Sequence, residues 1–302
     1  MPSKIGVHIK GPHRVGYGEY LASACKDGTP VPLVKSVDDE GAFIDVRKAL
    51  EDAEDVAYPD NASGRTVTIF RSCKEPDWDT PANNFRGNPE LVAREWMGRQ
   101  VQHWEGVQAD YFEVMNEPDP EFTLGEEQSY QWLNRCVLEC MRFADERGLK
   151  VCIYNFSAGV PEPHEFEVLL PSLYYARNHG HVLGLHEYST EGGLRNGEGR
   201  GTVLRFRMYY NDILIPRGLG DLPLFITEAG PNGGHSWDRD LGADGFLDDV
   251  RWYDSHLRQY PLRDRGGTVH ARSCRERRAR RRELPGSTTA SSPIEHRGAK
   301  RS

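Results

Sequence analysis

No stretch of the 302 residues is apolar for the ~18 positions that a membrane-crossing helix needs, so a membrane partner is not expected. The opening residues, Met1-Pro2-Ser3-Lys4-Ile5-Gly6-Val7, lack the apolar core and small-residue cleavage site of a secretory signal. The expected location is the cytoplasm, or outside the cell if the N-terminus has been trimmed. Cysteine is scarce: Cys25, Cys73, Cys136, Cys140, Cys152 and Cys274 form no C-x-x-C pair, and no histidines sit at zinc-finger spacing from them. Buried free thiols are the expectation. A phosphate-binding loop is also absent. The first strand-like run leads to Gly11-Pro12-His13-Arg14-Val15-Gly16-Tyr17-Gly18, which fits neither G-x-G-x-x-G nor the P-loop. Positive charge is sparse until the end of the chain. Residues 1–261 carry a net charge of −16, whereas residues 262–302 hold 12 basic and 4 acidic side chains, a net of +8. An acidic body argues against nucleic acid as a partner. It suits neutral sugars, which are held by hydrogen bonds and stacking.

What is present is a regular alternation. Short apolar runs rich in Val, Ile, Phe and Tyr span 4–9, 31–37, 66–71, 111–116, 150–155, 182–188 and 222–228. Runs of this length between helical stretches read as parallel strands covered by helices. The helices are expected at 89–104, where Asn88 caps and Pro89 starts, at 126–147 ahead of Gly148, and at 164–179, 202–215 and 245–260. Before the second strand only 18–24 offers a short helix. A doubly wound sheet would carry a Gly-rich loop after its first strand. The expected fold is therefore an α/β (β/α)8 TIM barrel, with a catalytic domain over residues 1–261.

Strand 8 is missing or altered in this reading. After residue 261 the chain turns to Arg-rich, Ser/Thr/Pro/Gly-rich sequence with no visible period, so 262–302 reads as a basic, disordered tail. The change falls where an eighth strand is due. Out-of-frame translation is the favoured explanation; a basic arm and a plain solvated tail are the others. A barrel left open would expose strand edges.

Two acids stand where barrel enzymes place their chemistry, at the C-terminal ends of strands. The fourth strand runs into Asn116-Glu117-Pro118 and the seventh into Ile226-Thr227-Glu228-Ala229-Gly230. Cleaving a glycosidic bond needs one carboxyl group to protonate the leaving oxygen and another to attack, or to activate water, from the opposite face. Strands four and seven face each other across a barrel only side-chains wide.

On these residues the sequence resembles the large clan of (β/α)8 retaining glycosidases that includes many cellulases, mannanases, xylanases and β-galactosidases. The resemblance covers roughly residues 4–260. It implies Glu117 as acid/base, Glu228 as nucleophile and Asn116 as a ligand of the sugar 2-hydroxyl. It also implies His186 and Tyr188, from Leu185-His186-Glu187-Tyr188 on the sixth strand, as residues that hold substrate and orient the nucleophile. Glu187 alternates to the other face and is left out. The strand-eight aromatic that commonly floors the sugar subsite has no counterpart.

Further expectations rest on strand-end position. Trp78, Trp237 and Tyr154 are candidate sugar platforms, and Arg71 and Asn155 are candidate hydroxyl ligands. Glu117 is expected to be raised by burial or by Glu228. The resemblance further implies an oligo- or polysaccharide substrate with β-linkages, hydrolysed through a covalent glycosyl-enzyme. No metal or organic cofactor is implied. The rival readings are a carbohydrate-binding barrel without turnover, and a metal-dependent barrel hydrolase with His8, His186 and Glu228 as ligands.

Overall fold

Parallel strands whose side chains alternate between a helix-facing and an inward-facing side build the framework. The computed structural model describes residues 3–10, 16–27, 31–41, 43–44, 48, 66–74, 87–120, 125–234, 241–260 and 267–269. Among them, β1 (Ile5–Lys10), β2 (Leu33–Val37), β3 (Val67–Arg71), β4 (Tyr111–Glu113), β5 (Val151–Phe156), β6 (Val182–Tyr188) and β7 (Leu224–Gly230) follow one another around a nearly closed parallel barrel. Trp78 and Trp237 lie outside the described residues, as does 270–302. No helix among the described residues is long and apolar enough to cross a membrane.

The sequence leads one to expect an eighth strand that is missing or altered, and it is altered. The described residues include a short one, β8 (Gly267–Val269), which pairs in parallel with β1 through Ile5–Gly267, Gly6–Thr268 and Val7–Val269. It also runs close beside β7, although among the described residues no hydrogen-bonded ladder joins those two. Three residues containing a glycine and only one large apolar side chain leave no periodicity to detect.

Two apolar cores result. The larger lies between strands and helices and includes Ile9, Val34, Phe70, Phe112, Ile153, Leu183 and Leu224. The smaller is contributed by strands alone: Leu33, Val67, Ile69, Cys152, Val182 and Phe225, with Tyr111 against them. These are the inward-facing positions, and they plug the barrel below the site.

The helix Pro89–Trp104 starts as expected, with Leu91 N donating to Asn88 Oδ1 at 2.9 Å. It grips β4: Trp96 Nε1 donates to Val114 O at 2.9 Å and Trp104 stacks on Phe112. The helix Glu126–Asp145 buries Cys136 and Cys140 as free thiols. The expected helix 164–179 is two helices, Pro163–Val168 and Leu170–His179. Pro171 has no N–H to carry the ladder through. The expected helix 202–215 begins only at Phe206. Leu204 is left-handed (φ 58°), and Leu204 N and Phe206 N donate to the Glu187 carboxylate at 2.8 and 3.0 Å instead of joining a helix. Tyr253 also donates to Glu187 at 2.6 Å, so this acid ties the outer layer together and faces away from the cleft.

His181, fully buried, gives a pH-sensitive contribution to stability. Val151 N donates to its Nδ1 at 3.2 Å, and its Nε2 lies 3.3 Å from Asp145 Oδ1. Burial pushes the imidazole down from 6.5 to about 4, with Asp145 opposing only in part. The folded state therefore takes up its proton later than the unfolded chain. Stability is expected to fall by about 3 kcal/mol as pH drops from 6.5 to 4. Thermal melts across that window should show the loss in the wild type, and a smaller one in His181→Asn, whose amide oxygen keeps the Val151 contact without titrating.

Candidate active site

At the C-terminal mouth of the barrel the strands deliver a ring of polar side chains around a cavity of about 510 Å³. His8 and Lys10 come from β1 and Arg71 from the end of β3. Asn116 and Glu117 follow β4, Tyr188 ends β6 and Glu228 lies on β7. Ser157, Ala158, Ser189, Thr190, Asn232 and Gly233 close the rim.

Glu228 faces the barrel axis because β7 carries an irregularity. Leu185 of β6 pairs with Ile226, but His186 pairs with Glu228, so Thr227 is one residue extra. Strict alternation from inward-facing Phe225 would turn Glu228 outward. The bulge turns it inward beside His186, as bulges near sites commonly do. Thr227 is fully buried and donates to Asn155 Oδ1 at 3.1 Å.

Glu117 sits on a strained backbone. Its φ is +51°, and Tyr154 and Asn155 are also left-handed. Such conformations cost ~1–3 kcal/mol each for residues with a Cβ. Glu117 N donates to Asn155 O at 3.0 Å, which holds the two turns together. Beneath them the Asn155 amide donates to Met115 O at 3.0 Å, and its oxygen accepts from Thr227. Only a glycine fits opposite: a Cβ on Gly184 would lie 1.9 Å from Asn155 Oδ1.

His186 stands between the two acids. Its Nδ1 is 2.9 Å from Glu117 Oε1 and its Nε2 is 3.9 Å from Glu228 Oε1. Glu228 is held from both ends. Oε1 accepts from Lys35 Nζ at 2.8 Å and Arg71 Nη1 at 2.9 Å, and Oε2 accepts from Tyr188 at 2.6 Å. Arg71 Nη1 also donates to Asn116 Oδ1. Burial alone would raise the Glu228 carboxyl, but Lys35, then His186, His8 and Arg71, hold it well below the usual carboxylate range.

Glu117 differs from the sequence expectation. Burial raises it, as expected, but the His186 hydrogen bond and charge outweigh burial and Glu228, and the net direction is down. Its side chain remains 36% exposed to the cleft.

Of the residues singled out from sequence, Glu117, Glu228, Asn116, Arg71, His186 and Tyr188 come together. Asn155 does not reach the cleft: it is fully buried with its amide engaged inside the barrel wall. Tyr154 is a core residue, donating to or accepting from Ser172 at 2.6 Å and stacked on Phe156. His8, His186 and Glu228 do not converge as a ligand set. Among the described residues the group with metal-ligand spacing is Glu126, His164 and Glu165, elsewhere on the helices. Sequence reasoning missed Lys35, Glu113 and Lys10. Each is an inward position of a strand, and a charged residue amid apolar neighbours, as in Leu-Val-Lys-Ser-Val, was the available signal.

No protein-family model and no curated protein matches the chain. Solved structures do. A trimodular GH5_4 subfamily endoglucanase is 13% identical over 91% of this chain and 57% of its own length, with a TM-score of 0.54. PbGH5A, a glycoside hydrolase family 5 enzyme from Prevotella bryantii B14, is 11% identical over 89% of each chain, with a TM-score of 0.48. An AP endonuclease of family 2 from Brucella melitensis is 11% identical over 90% of this chain and 95% of its own, with a TM-score of 0.42. At 13% identity the likeness to the endoglucanase is one of fold: a TIM barrel. The chain spans little more than half of the endoglucanase it matches with the highest of these scores.

Proposed function

We propose that the chain is a retaining glycoside hydrolase acting on β-linked oligo- or polysaccharides. The observation that carries this reading is the unequal treatment of two carboxylates across one imidazole. Glu228 is fixed by two cations and a tyrosine, and the cations favour its charged form. Glu117 is partly exposed to the cavity and shares a hydrogen bond with His186. A carboxylate held firmly charged beside one held less firmly and open to the cleft, where a bound sugar can favour its neutral form, suits the division of labour that double displacement requires.

In the first step Glu228 attacks the anomeric carbon while Glu117 gives its proton to the departing glycosidic oxygen. The C–O bond to the leaving group breaks as the ester bond to Glu228 forms. In the second step Glu117 takes a proton from water, the water oxygen bonds to the anomeric carbon, and Glu228 leaves as carboxylate. Asn116, braced by Arg71, stands beside Glu228 where a hydroxyl next to the anomeric carbon would reach it. The polar rim and the single described aromatic of the cavity, Tyr188, support recognition through hydrogen bonds more than through stacking.

A panel of aryl β-glycosides and plain β-glycans tests this reading. Turnover of at least one is the expected result and names the sugar. Glycan binding by a cooperatively melting protein without any turnover would replace it with a binding barrel.

A further inference from the structure

Under the floor of the cleft lies a charged pair that the two-step reaction does not use. Lys35, in the middle of β2, and Glu113, at the end of β4, have no side-chain exposure. Lys35 Nζ is 2.8 Å from Glu113 Oε1 and 2.8 Å from Glu228 Oε1. Directly below are Leu33, Ile69, Cys152 and Phe225 of the inner apolar plug. A buried ion pair is a poor route to stability, since apolar residues of similar volume commonly do as well or better. Its position against Glu228 points to another use.

We propose that Lys35 is a positioning residue for the nucleophile, and that Glu113 sets how much of the Lys35 charge Glu228 feels. The inference rests on the glycosidase reading for its catalytic meaning, though not for its electrostatics. A cation 2.8 Å from a carboxylate in a water-poor interior favours the charged form strongly. Lys35 anchors Oε1 from below while Tyr188 anchors Oε2, so the carboxylate plane is fixed. The same attraction makes Glu228 a weaker base. It is then a slower nucleophile in the first step and a better leaving group in the second. Glu113, 2.8 Å from the same Nζ, draws part of that charge away and moderates the effect.

The other groups facing Glu228 are His8 from β1, Arg71 from β3, Glu117 beyond β4, and His186 and Tyr188 from β6. All of them stay in place in the variants that test the idea.

The test is carboxyl ¹³C NMR titration of Glu228 in three proteins, with the signal assigned by its loss in Glu228→Gln. The proteins are the wild type, Glu113→Gln, and the double variant Lys35→Met/Glu113→Leu, in which an apolar pair fills the space and no buried charge is orphaned. Glu228 is expected to titrate at lower pH in Glu113→Gln and about one unit or more higher in the double variant. Where the wild type turns over, the acid limb of kcat/KM should move in the same two directions. The double variant should also accumulate more glycosyl-enzyme on an activated aryl glycoside. A purely structural pair would lower the melting temperature and leave these titrations where they are. Glu228 titrating as in the wild type in a cooperatively melting double variant overturns the proposal, as does movement of both variants in one direction. Absence of turnover in the wild type counts against the glycosidase reading alone, because the NMR titration decides on Lys35 without it.

Discussion

Glu228→Ala is expected to lower kcat on an aryl β-glycoside by on the order of 10⁴-fold or more, and added azide is expected to restore much of it. Without the carboxylate no covalent intermediate forms, and the space it leaves lies against Arg71 and Lys35. Two cations lining a cavity of one carboxylate's volume make a site for a small anion. Azide entering there attacks from the side that Glu228 occupied and gives a glycosyl azide of inverted configuration, with no second displacement to follow. Product analysis by NMR checks the assignment. A variant retaining a tenth or more of wild-type kcat, or an azide product of retained configuration, would remove Glu228 from the role. A cooperative melt must accompany the measurement, because the change leaves Arg71 with less compensation.

Glu117→Gln is expected to behave differently on different leaving groups. A simple alkyl β-glycoside, whose oxygen needs a proton as it departs, should lose about 10²–10⁴-fold in kcat/KM. A dinitrophenyl glycoside, which departs unaided, should keep a first step near the wild-type rate and release one equivalent of phenolate in a burst. The second step then stalls for want of a base to deprotonate water. The pH profile carries a sign as well. The first step needs Glu117 protonated, so activity falls as pH rises through its apparent titration. In the free enzyme His186 holds that titration down. A bound sugar strips water from the exposed third of the side chain, which favours the neutral form. The basic limb of kcat is therefore expected at higher pH than that of kcat/KM, and both should flatten in Glu117→Gln. Equal losses on both leaving groups would contradict the acid/base assignment.

The parts of the architecture carried by periodicity were legible in the chain. Seven apolar runs became seven strands, and Asn88 and Pro89 started their helix where local chemistry said they would. The misses have local causes. Pro171 split one expected helix, and the Glu187 carboxylate captured two backbone N–H groups that would have begun another. The eighth strand, expected to be missing or altered, is cut to three residues, so that expectation holds.

The cluster at the cleft was legible because strand ends can be read. What could not be read was the bulge at Thr227 that turns Glu228 inward, since one extra residue in a ladder has no sequence signature of its own. Asn155 was misplaced for a related reason. A strand-end asparagine looks like a ligand, but the second irregularity, between Tyr154 and Phe156, turns it into the wall. The direction of Glu117 was missed because burial and Glu228 were weighed without the histidine that touches it.

The stereochemistry of the first product tests the division of roles between Glu117 and Glu228 most directly. ¹H NMR of the anomeric proton, recorded during hydrolysis of an aryl β-glycoside and before mutarotation, reads it without assumptions about the sugar. The β-anomer appearing first is the expected result, because two displacements at one carbon restore its configuration. The α-anomer appearing first would mean a single displacement by water and would contradict Glu228 as a nucleophile.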